Sequence, residues 1–184
     1  MIFTSHIAGG YLAVKLVSKL KSQPLLRKSG FLMIGIAGAV VPDADYFFYT
    51  HIKDHHNSLL HSPMFWLFCY LMAQLVFLAI PRVRRFRMHI NVFALGVLTH
   101  MFLDWYAART AGIRIFYPFL DTRYSLFPLN PEAGQVGTTS NVSSYTEFFK
   151  FYAENTFLLI SEVALVITAV GVWLSERFKN KPAK

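Results

Sequence analysis

Apolar positions along this chain occur in long blocks rather than in strict alternation with polar ones, a pattern typical of long apolar helices. Met64–Ile80 contains 17 residues without a charge, and Phe157–Leu174 contains 18 with only one acidic residue. Ile90–Tyr106 contains 17, interrupted by one histidine and one aspartate. Each block is close to the ~20 residues that cross a bilayer as a helix. The pattern predicts a helix in each block.

Two weaker apolar blocks precede these. Ser5–Leu20 carries two lysines near its end, and Phe31–Val41 is short. Ser62 and Pro63 stand directly before the third block, and such a pair is typical of an N-cap followed by proline at the first helical position. The chain therefore predicts five helices, of which four or five cross a membrane.

The composition favours a membrane protein over a soluble one. The 184 residues are 54% hydrophobic and 15% charged, whereas globular domains carry about 25% charged residues. A buried core helix is the alternative for any single block, but three such blocks in so short a chain disfavour it. We predict an all-α integral membrane bundle of four or five transmembrane helices, with residues 1–184 as a single membrane domain. No basic leader with a cleavage site opens the chain, so we expect no removed signal peptide.

A long polar connection separates the fourth and fifth apolar blocks. It covers residues 107–156 and contains several prolines followed by a stretch rich in glycine, serine and threonine. Connections of this length are uncommon unless they have a function of their own. We predict an extracytoplasmic connection that is a candidate lid over the membrane surface.

The positive charges fall mainly on one side of the predicted membrane. The net charge is +8, and alternate threading of the helices sends 13 of the 18 Lys and Arg to one side and eight of the ten acidic residues to the other. This asymmetry assigns the basic side to the cytoplasm. The basic excess is therefore a topology signal, and we predict no nucleic-acid partner.

The same threading brings histidines and aspartates together at the outer end of the helices. His100 and Asp104 are four residues apart, so they share one helical face. Ionisable residues at membrane depth are costly, which makes them candidates for function. For Asp43 and Asp45, a helix-capping role is the alternative. The convergent groups are His6, Asp43, Asp45, His55, His56, His61, His100 and Asp104.

These groups suit a metal-dependent hydrolytic site. Imidazoles and carboxylates without thiolates suit zinc, manganese or iron, and such a metal activates water and polarises a phosphoryl or carbonyl oxygen. Two ions would need a bridging carboxylate and about six ligands. Cys69 is the lone cysteine, and the chain has neither the HExxH pair of zincin proteases nor the GxSxG segment of serine hydrolases.

Three segments, Gly38–Asp45, His56–Ser62 and His100–Asp104, resemble the signatures of the LexA-regulated, inner-membrane metal-dependent hydrolase family. The family's middle signature reads His-Arg-Gly-x-Thr-His-Ser, and here Asn57 and Ser58 stand in place of its arginine and glycine. A leucine replaces its threonine, whereas both histidines and the final serine match.

The resemblance extends beyond the three signatures. Gly112–Phe119 is similar to a Gly-x-x-Leu-x-x-Pro-Phe stretch of the family, and His6 looks like its early histidine. The resemblance as a whole covers roughly residues 1–127. The resemblance implies the cell inner membrane. Together with the threading of the apolar blocks and the charge asymmetry, it predicts a multi-pass protein whose site faces the periplasm or exterior.

The order of the candidate ligands is also similar to that in the zinc-dependent phospholipase C and single-strand nuclease superfamily. Those enzymes hold a trinuclear zinc site and use a further histidine and a second His-x-x-x-Asp pair. This chain has no histidine after His100. The resemblance therefore implies one or two divalent ions, with zinc as the expected metal.

Residues and resemblance together predict a membrane-embedded metal-dependent hydrolase that acts on a phosphoester of a lipid or lipid-linked substrate. Asp43 or Glu162 is the predicted general base or an additional ligand. Arg109, Arg114 and Arg123 are predicted to bind the anionic group of the substrate, because arginine matches phosphate geometry bidentately. The predicted metal ligands are His6, Asp45, His56, His61, His100 and Asp104.

Two alternatives stay open at this point. In the first, the protein is not catalytic, and its metal is structural or is moved across the membrane. A transporter would place polar groups along both halves of its path, and the inner halves of these blocks are largely apolar. In the second, the same metal serves a membrane metalloprotease or amidase.

Overall fold

The computed structural model of the protein describes residues 2–47, 58–107, 113–122, 124, 146 and 156–179. Within these ranges it contains five α-helices of 12 residues or more. They are α1 (Phe3–Leu20), α2 (Ser29–Val40), α3 (Pro63–Ala79), α4 (Arg87–Ala107) and α5 (Thr156–Lys179). Short 3-10 helices occupy Pro24–Arg27, Val41–Phe47, Leu59–His61 and Pro81–Phe86.

Every predicted helix is present, and the all-α prediction is confirmed for the described residues. Each helix begins one to three residues before the predicted block. The predicted cap of the third helix is also confirmed, because Ser62 Oγ accepts a hydrogen bond from the Phe65 N–H at 3.5 Å and Pro63 occupies the first turn. An isolated antiparallel bridge joins Ile113 to Tyr124.

Glycines allow α1, α2 and α4 to pack with their backbones in close approach. A Cβ added at Gly38 of α2 would collide with the Phe93 carbonyl of α4. A Cβ at Gly96 of α4 would collide with the Gly35 carbonyl of α2. Small residues at helix contacts are the usual device for tight packing in membranes. These three helices therefore form the rigid centre of the bundle.

Helices α3 and α5 lie at the periphery and expose apolar side chains. Phe77 is the one buried residue of α3, all of whose residues are described. On α5, Leu158 is fully buried and packs with Leu103 of α4, whereas Ile160 is 62% exposed. Such exposed apolar surface is what a lipid-facing helix presents.

Two stretches are long and apolar enough to cross a membrane, namely Pro81–Tyr106 and Thr156–Lys179. Pro63–Ala79 is a shorter apolar helix. The prediction of four or five transmembrane helices goes beyond these two stretches and stays a prediction, as does the single-domain assignment. Most of the predicted lid, residues 107–156, lies outside the described residues.

The described part of that connection contacts the start of α3. Ile113 and Tyr124 exchange backbone hydrogen bonds of 3.0 and 2.9 Å. Between them, the Tyr117 carbonyl accepts a hydrogen bond from Ser62 Oγ at 2.7 Å. Because Ser62 directly follows the 3-10 helix that ends at His61, this contact fixes the connection beside the polar end of the bundle.

Candidate metal centre

Four parts of the chain bring polar side chains to one end of the bundle. There α1 begins, and α2 ends and continues into the 3-10 helix Val41–Phe47. The 3-10 helix Leu59–His61 precedes α3 at the same end, and α4 ends there. Five imidazole and carboxylate groups meet as a result, and we call them the His–Asp cluster. They are His6, Asp43, His61, His100 and Asp104.

Four members of the cluster lie within reach of a single ion. His6, Asp43, His100 and Asp104 each offer one ligand atom, and these atoms lie within 4.8 Å of one another. Nε2 of His6 is 3.2 Å from Oδ1 of Asp104, and Nε2 of His100 is 3.0 Å from Oδ2 of the same residue. Metal–ligand bonds of about 2.0–2.2 Å place ligand atoms about 3–4 Å apart. The four groups therefore have the spacing of a metal site.

His61 adds a third imidazole to this group. Its Nε2 lies 3.4 Å from Oδ1 of Asp43 and 3.7 Å from Oδ2 of Asp104. The same atom is 3.4 Å from Nε2 of His100. His61 thus lies beside three of the four groups. Three imidazoles and two carboxylates form a ligand set that zinc, manganese and iron accept.

The cluster holds two carboxylates in a buried setting. The Asp104 side chain is fully buried and that of Asp43 is 17% exposed. Burial opposes ionisation of Asp43, but a hydrogen bond with His61 and the charges of two further histidines hold its pKa below the usual value. Burial likewise opposes protonation of His61, yet hydrogen bonds with Asp43 and Asp45 and the charge of Asp104 raise its pKa to about 9. The cluster therefore favours a positive charge at its centre.

The orientation of His100 is fixed by the backbone of α2. Its Nδ1 lies 2.8 Å from the carbonyl oxygen of Ala39, so the Nδ1–H donates and Nε2 keeps its lone pair for the cluster. Ala39 lies in the last turn of α2, where carbonyl groups have no partner further along the helix. A second hydrogen bond of this kind is typical of metal-binding histidines.

The orientation of His61 is fixed by Asp45. The His61 Nδ1 lies 2.8 Å from Oδ2 of Asp45, on the ring edge opposite the cluster. Asp45 also accepts a hydrogen bond from the Ser58 hydroxyl. The Asp45 carboxylate thus orients His61 through the ring nitrogen that faces away from the cluster. This is the carboxylate–histidine arrangement found at many metal sites.

His6 supplies the most direct indication that the site suits an ion. The side chain is fully buried, and Nδ1 has no hydrogen-bond partner among the described residues. Nε2 faces the carboxylates of Asp104 and Asp43, at 3.2 and 3.8 Å. Its ring stacks on that of His100 with a centroid distance of 3.9 Å. A buried polar atom without a partner is costly. A cation between His6 and Asp104 would bind both Nε2 and the facing carboxylate.

Glu162, a predicted general base, contacts the start of α1. Its Oε1 accepts a hydrogen bond from the Ile2 N–H at 2.7 Å, and its Oε2 accepts one from the Ser5 hydroxyl. Glu162 is 5% exposed and belongs to α5. These contacts fix the helix turn that carries His6, so the geometry favours a positioning role.

The two aspartates after α2 occupy different positions relative to the His–Asp cluster. Asp45 was the predicted ligand, and Asp43 the predicted base or additional ligand. In the structure Asp43 belongs to the His–Asp cluster, whereas Asp45 lies behind His61. In this short 3-10 helix, residues two apart project in different directions. Their chemical roles stay predictions.

Of the three predicted substrate-binding arginines, the structure describes only Arg114. Arg114 forms an ion pair with Asp121, with 2.6 Å between Nη1 and Oδ1, and stacks over the Tyr117 ring at 4.2 Å. Its guanidinium therefore has partners within its own segment. The other predicted residues of the connecting loops lie outside the described residues. These are His55, His56, Arg109 and Arg123.

Comparison with known proteins assigns the family. The model of the family described as YdjM inner membrane protein matches residues 1–179, so the chain belongs to this family. Neither a curated protein nor a solved structure matches the chain. The predictions of a membrane protein and of an inner-membrane family are thus confirmed. The predicted metal-dependent hydrolase activity and the similarity to phospholipase C have no support from these comparisons.

Proposed function

We propose that this member of the YdjM inner membrane protein family is a metal-dependent hydrolase that acts on a phosphoester of a lipid or lipid-linked substrate. The observation that carries the proposal is the buried His–Asp cluster, in which His6, Asp43, His100 and Asp104 lie within reach of one ion and His61 lies beside them. A purely structural polar network would satisfy its own members. His6 instead has a buried Nδ1 without a hydrogen-bond partner among the described residues, while its Nε2 faces the Asp104 carboxylate at 3.2 Å.

The expected cofactor is one or two divalent ions, with zinc as the first choice. His6, His61, His100 and Asp104 would hold the first ion, with Asp43 beside it. Asp45 would orient His61 from the ring edge opposite the cluster. A second ion would need His56 as an additional ligand. When bound, the metal would polarise a phosphoryl oxygen and activate a water molecule.

Asp43 is the proposed proton acceptor of the site. It is 17% exposed, whereas the side chains of His6, His61 and Asp104 are fully buried. Water and substrate therefore reach the cluster most easily beside Asp43. Its lowered pKa keeps the carboxylate ionised at neutral pH, and an ionised carboxylate within hydrogen-bond reach can accept a proton.

A lipid headgroup is the proposed reacting group because of where the cluster lies. The last turns of α4, a helix within one of the two apolar stretches long enough to cross a membrane, carry His100 and Asp104. Arg109, Arg114 and Arg123 would bind the phosphate. An incoming phosphate would compete for Arg114 with Asp121, whose side chain is 77% exposed.

We further propose a multi-pass topology with the His–Asp cluster facing the periplasm or exterior, supported by the distribution of the charges along the sequence. A cysteine at Asn57 in a Cys69→Ala background should react with an impermeant thiol reagent in intact cells. A cysteine at Arg85 should react only after the cells are permeabilised. The reverse result would contradict the orientation.

A structural metal is the second candidate function, because near-complete burial of the cluster also suits an ion that joins helices.

A lipid-hydrolysis assay tests the proposed activity. Purified protein should release a water-soluble phosphate-containing product from phospholipids in mixed micelles, and chelator should abolish this release. His61→Ala should be inactive. His89→Ala, at the opposite end of α4, is the matched control and should retain activity.

The outcomes of this assay separate the candidates. Chelator-sensitive turnover of phospholipids that depends on His61 supports the proposal. Metal-loaded protein without turnover on a broad lipid panel would contradict it in favour of the structural metal. Turnover confined to peptides or amides would contradict the phosphoester assignment and favour the metalloprotease or amidase.

A further inference from the structure

A groove between α3 and α4 leads away from the His–Asp cluster. It encloses a volume of about 400 Å³, within the range of small-molecule sites. Its walls are mostly apolar and include Phe93, Ala94 and Val97 on α4. The groove is partly open, and Phe77 is the one residue of α3 that is buried.

One end of the groove lies beside the cluster. Pro63 and Met101 line this end. Pro63 is two residues after His61, and Met101 directly follows His100. The Trp66 indole also lines the groove and donates a hydrogen bond to the Leu60 carbonyl at 2.7 Å, which connects the groove wall to the segment carrying His61.

The other end of the groove has a polar floor. Asn91 Oδ1 accepts hydrogen bonds from the Tyr70 hydroxyl and from Gln74 Nε2, both at 3.2 Å. Gln74 in turn accepts a hydrogen bond from Arg87 Nε at 2.8 Å. An apolar chain would have to disrupt these hydrogen bonds to extend further, so the groove ends here.

The length of the groove matches one leaflet of a bilayer. Its lining residues on α3 run from Pro63 to Ala73, a rise of about 15 Å at 1.5 Å per residue. The hydrocarbon core of a bilayer is about 30 Å thick, so one leaflet accounts for about 15 Å. The groove thus has the length, the apolar lining and the polar inner end expected for a site that binds a single acyl chain.

We propose that this groove binds one acyl chain of the lipid substrate, with the headgroup at the His–Asp cluster and the chain end at Asn91. This inference rests on the proposed function for its orientation, and it specifies the substrate as a lipid with a hydrocarbon chain rather than a soluble phosphoester. Ala94, in the middle of the wall, and Ala73, near the floor, are the residues that set the available length.

The test uses phospholipids that carry a diazirine on one acyl chain, reconstituted with the full-length protein in vesicles. A diazirine near the terminal methyl should label Tyr70, Ala73 and Asn91, whereas one near the carbonyl should label Trp66 and Met101. The labelling should persist after chelator treatment, because chain binding does not require the metal.

Ala94→Trp should abolish most labelling of the groove, because the indole side chain would fill the middle of the groove and leave no room for the acyl chain. Ala164→Trp, on the exposed face of α5, is the matched control and should not reduce it. Ala73→Phe provides a second variant that fills only the inner end. It should shift the label of the terminal diazirine towards Trp66 and keep that of the carbonyl-proximal probe.

Failure of this inference is distinguishable from failure of the proposed function. Groove labelling that Ala94→Trp removes supports the chain site even if no hydrolysis is found. Equal labelling of the groove and of the exposed residues of α5, unchanged by Ala94→Trp, would overturn it even if chelator-sensitive hydrolysis is found. A terminal diazirine that labels Trp66 rather than Ala73 in the wild-type protein would overturn the orientation.

Discussion

The Nδ1 of His61 and the Oδ2 of Asp45 lie 2.8 Å apart, on the side of the imidazole that faces away from the His–Asp cluster. The Nε2 of the same ring lies 3.4 Å from Asp43. This relationship orients a candidate ligand through a carboxylate that does not itself face the proposed ion. Two aspartates separated by one residue can thus serve different parts of one site.

Asp45→Ala tests whether Asp45 orients His61 without being a metal ligand itself. Loss of an outer partner of a metal-binding histidine weakens metal affinity by about 10–100-fold, so we expect zinc still to bind to the variant but more weakly. Competition with a chromophoric chelator measures the change. Asp121→Ala, which removes a carboxylate from the connecting loop, should leave the affinity unchanged. Complete loss of zinc from Asp45→Ala, as in a ligand variant, would show that Asp45 is a direct ligand.

Glu162→Gln tests the link between α5 and the start of α1. The substitution removes the charge that accepts hydrogen bonds from Ile2 and Ser5, so we expect a loss of about 1–3 kcal/mol in the free energy of unfolding. Metal affinity should fall because His6 follows Ser5. Thermal unfolding in detergent and metal titration provide the measurements.

The control for this prediction lies on the same pair of helices. Glu176 contacts Lys15 at the opposite end of the α1–α5 contact, so Glu176→Gln should leave metal affinity unchanged. If Glu162→Gln instead kept wild-type stability and metal affinity but lost turnover with a changed pH profile, Glu162 would be the general base after all.

Gly38→Ala tests the close packing of α2 and α4. The added methyl group would collide with the Phe93 carbonyl, a backbone atom that cannot move away alone. Overpacking of this kind costs about 1–3 kcal/mol or more. Gly171→Ala on α5 meets no neighbouring atom within 4 Å and should be neutral, or stabilising by up to about 1 kcal/mol through helix propensity. Equal stability of the two variants in a chemical unfolding series would refute the packing account.

The sequence was sufficient to predict the helices because three of the apolar blocks are 17 or 18 residues long and contain few charges. The two weaker blocks were predicted from their apolar content, although one carries two lysines and the other is short. The predicted start of the third helix followed from Ser62 and Pro63, whose capping signal is local. The convergence of His100 and Asp104 with distant histidines was also predictable. Helices that alternate in direction place the start of one helix and the end of the next on the same side of the bundle. These features depend on the spacing of apolar positions and on the length of each apolar block, both of which can be read from a single sequence.

Other features of the site depend on three-dimensional contacts that leave no pattern in the sequence. The Ala39 carbonyl that orients His100 is a backbone group and has no side-chain signal. Ser58 donates a hydrogen bond to Asp45 but stands where the resembling family has glycine. The resemblance therefore gave no indication that this residue contacts Asp45. The pairing of Arg114 with Asp121 likewise required the fold of the connecting segment.

The metal content of the purified protein tests the central claim most directly. Protein prepared without chelator should contain at least one divalent transition-metal ion per chain, because the cluster needs a cation to satisfy its buried ligands. Asp104→Ala and His100→Ala should lose the ion while remaining helical in detergent, whereas His89→Ala should retain it. Wild-type protein without metal in repeated preparations, or full metal content in both cluster variants, would contradict the account.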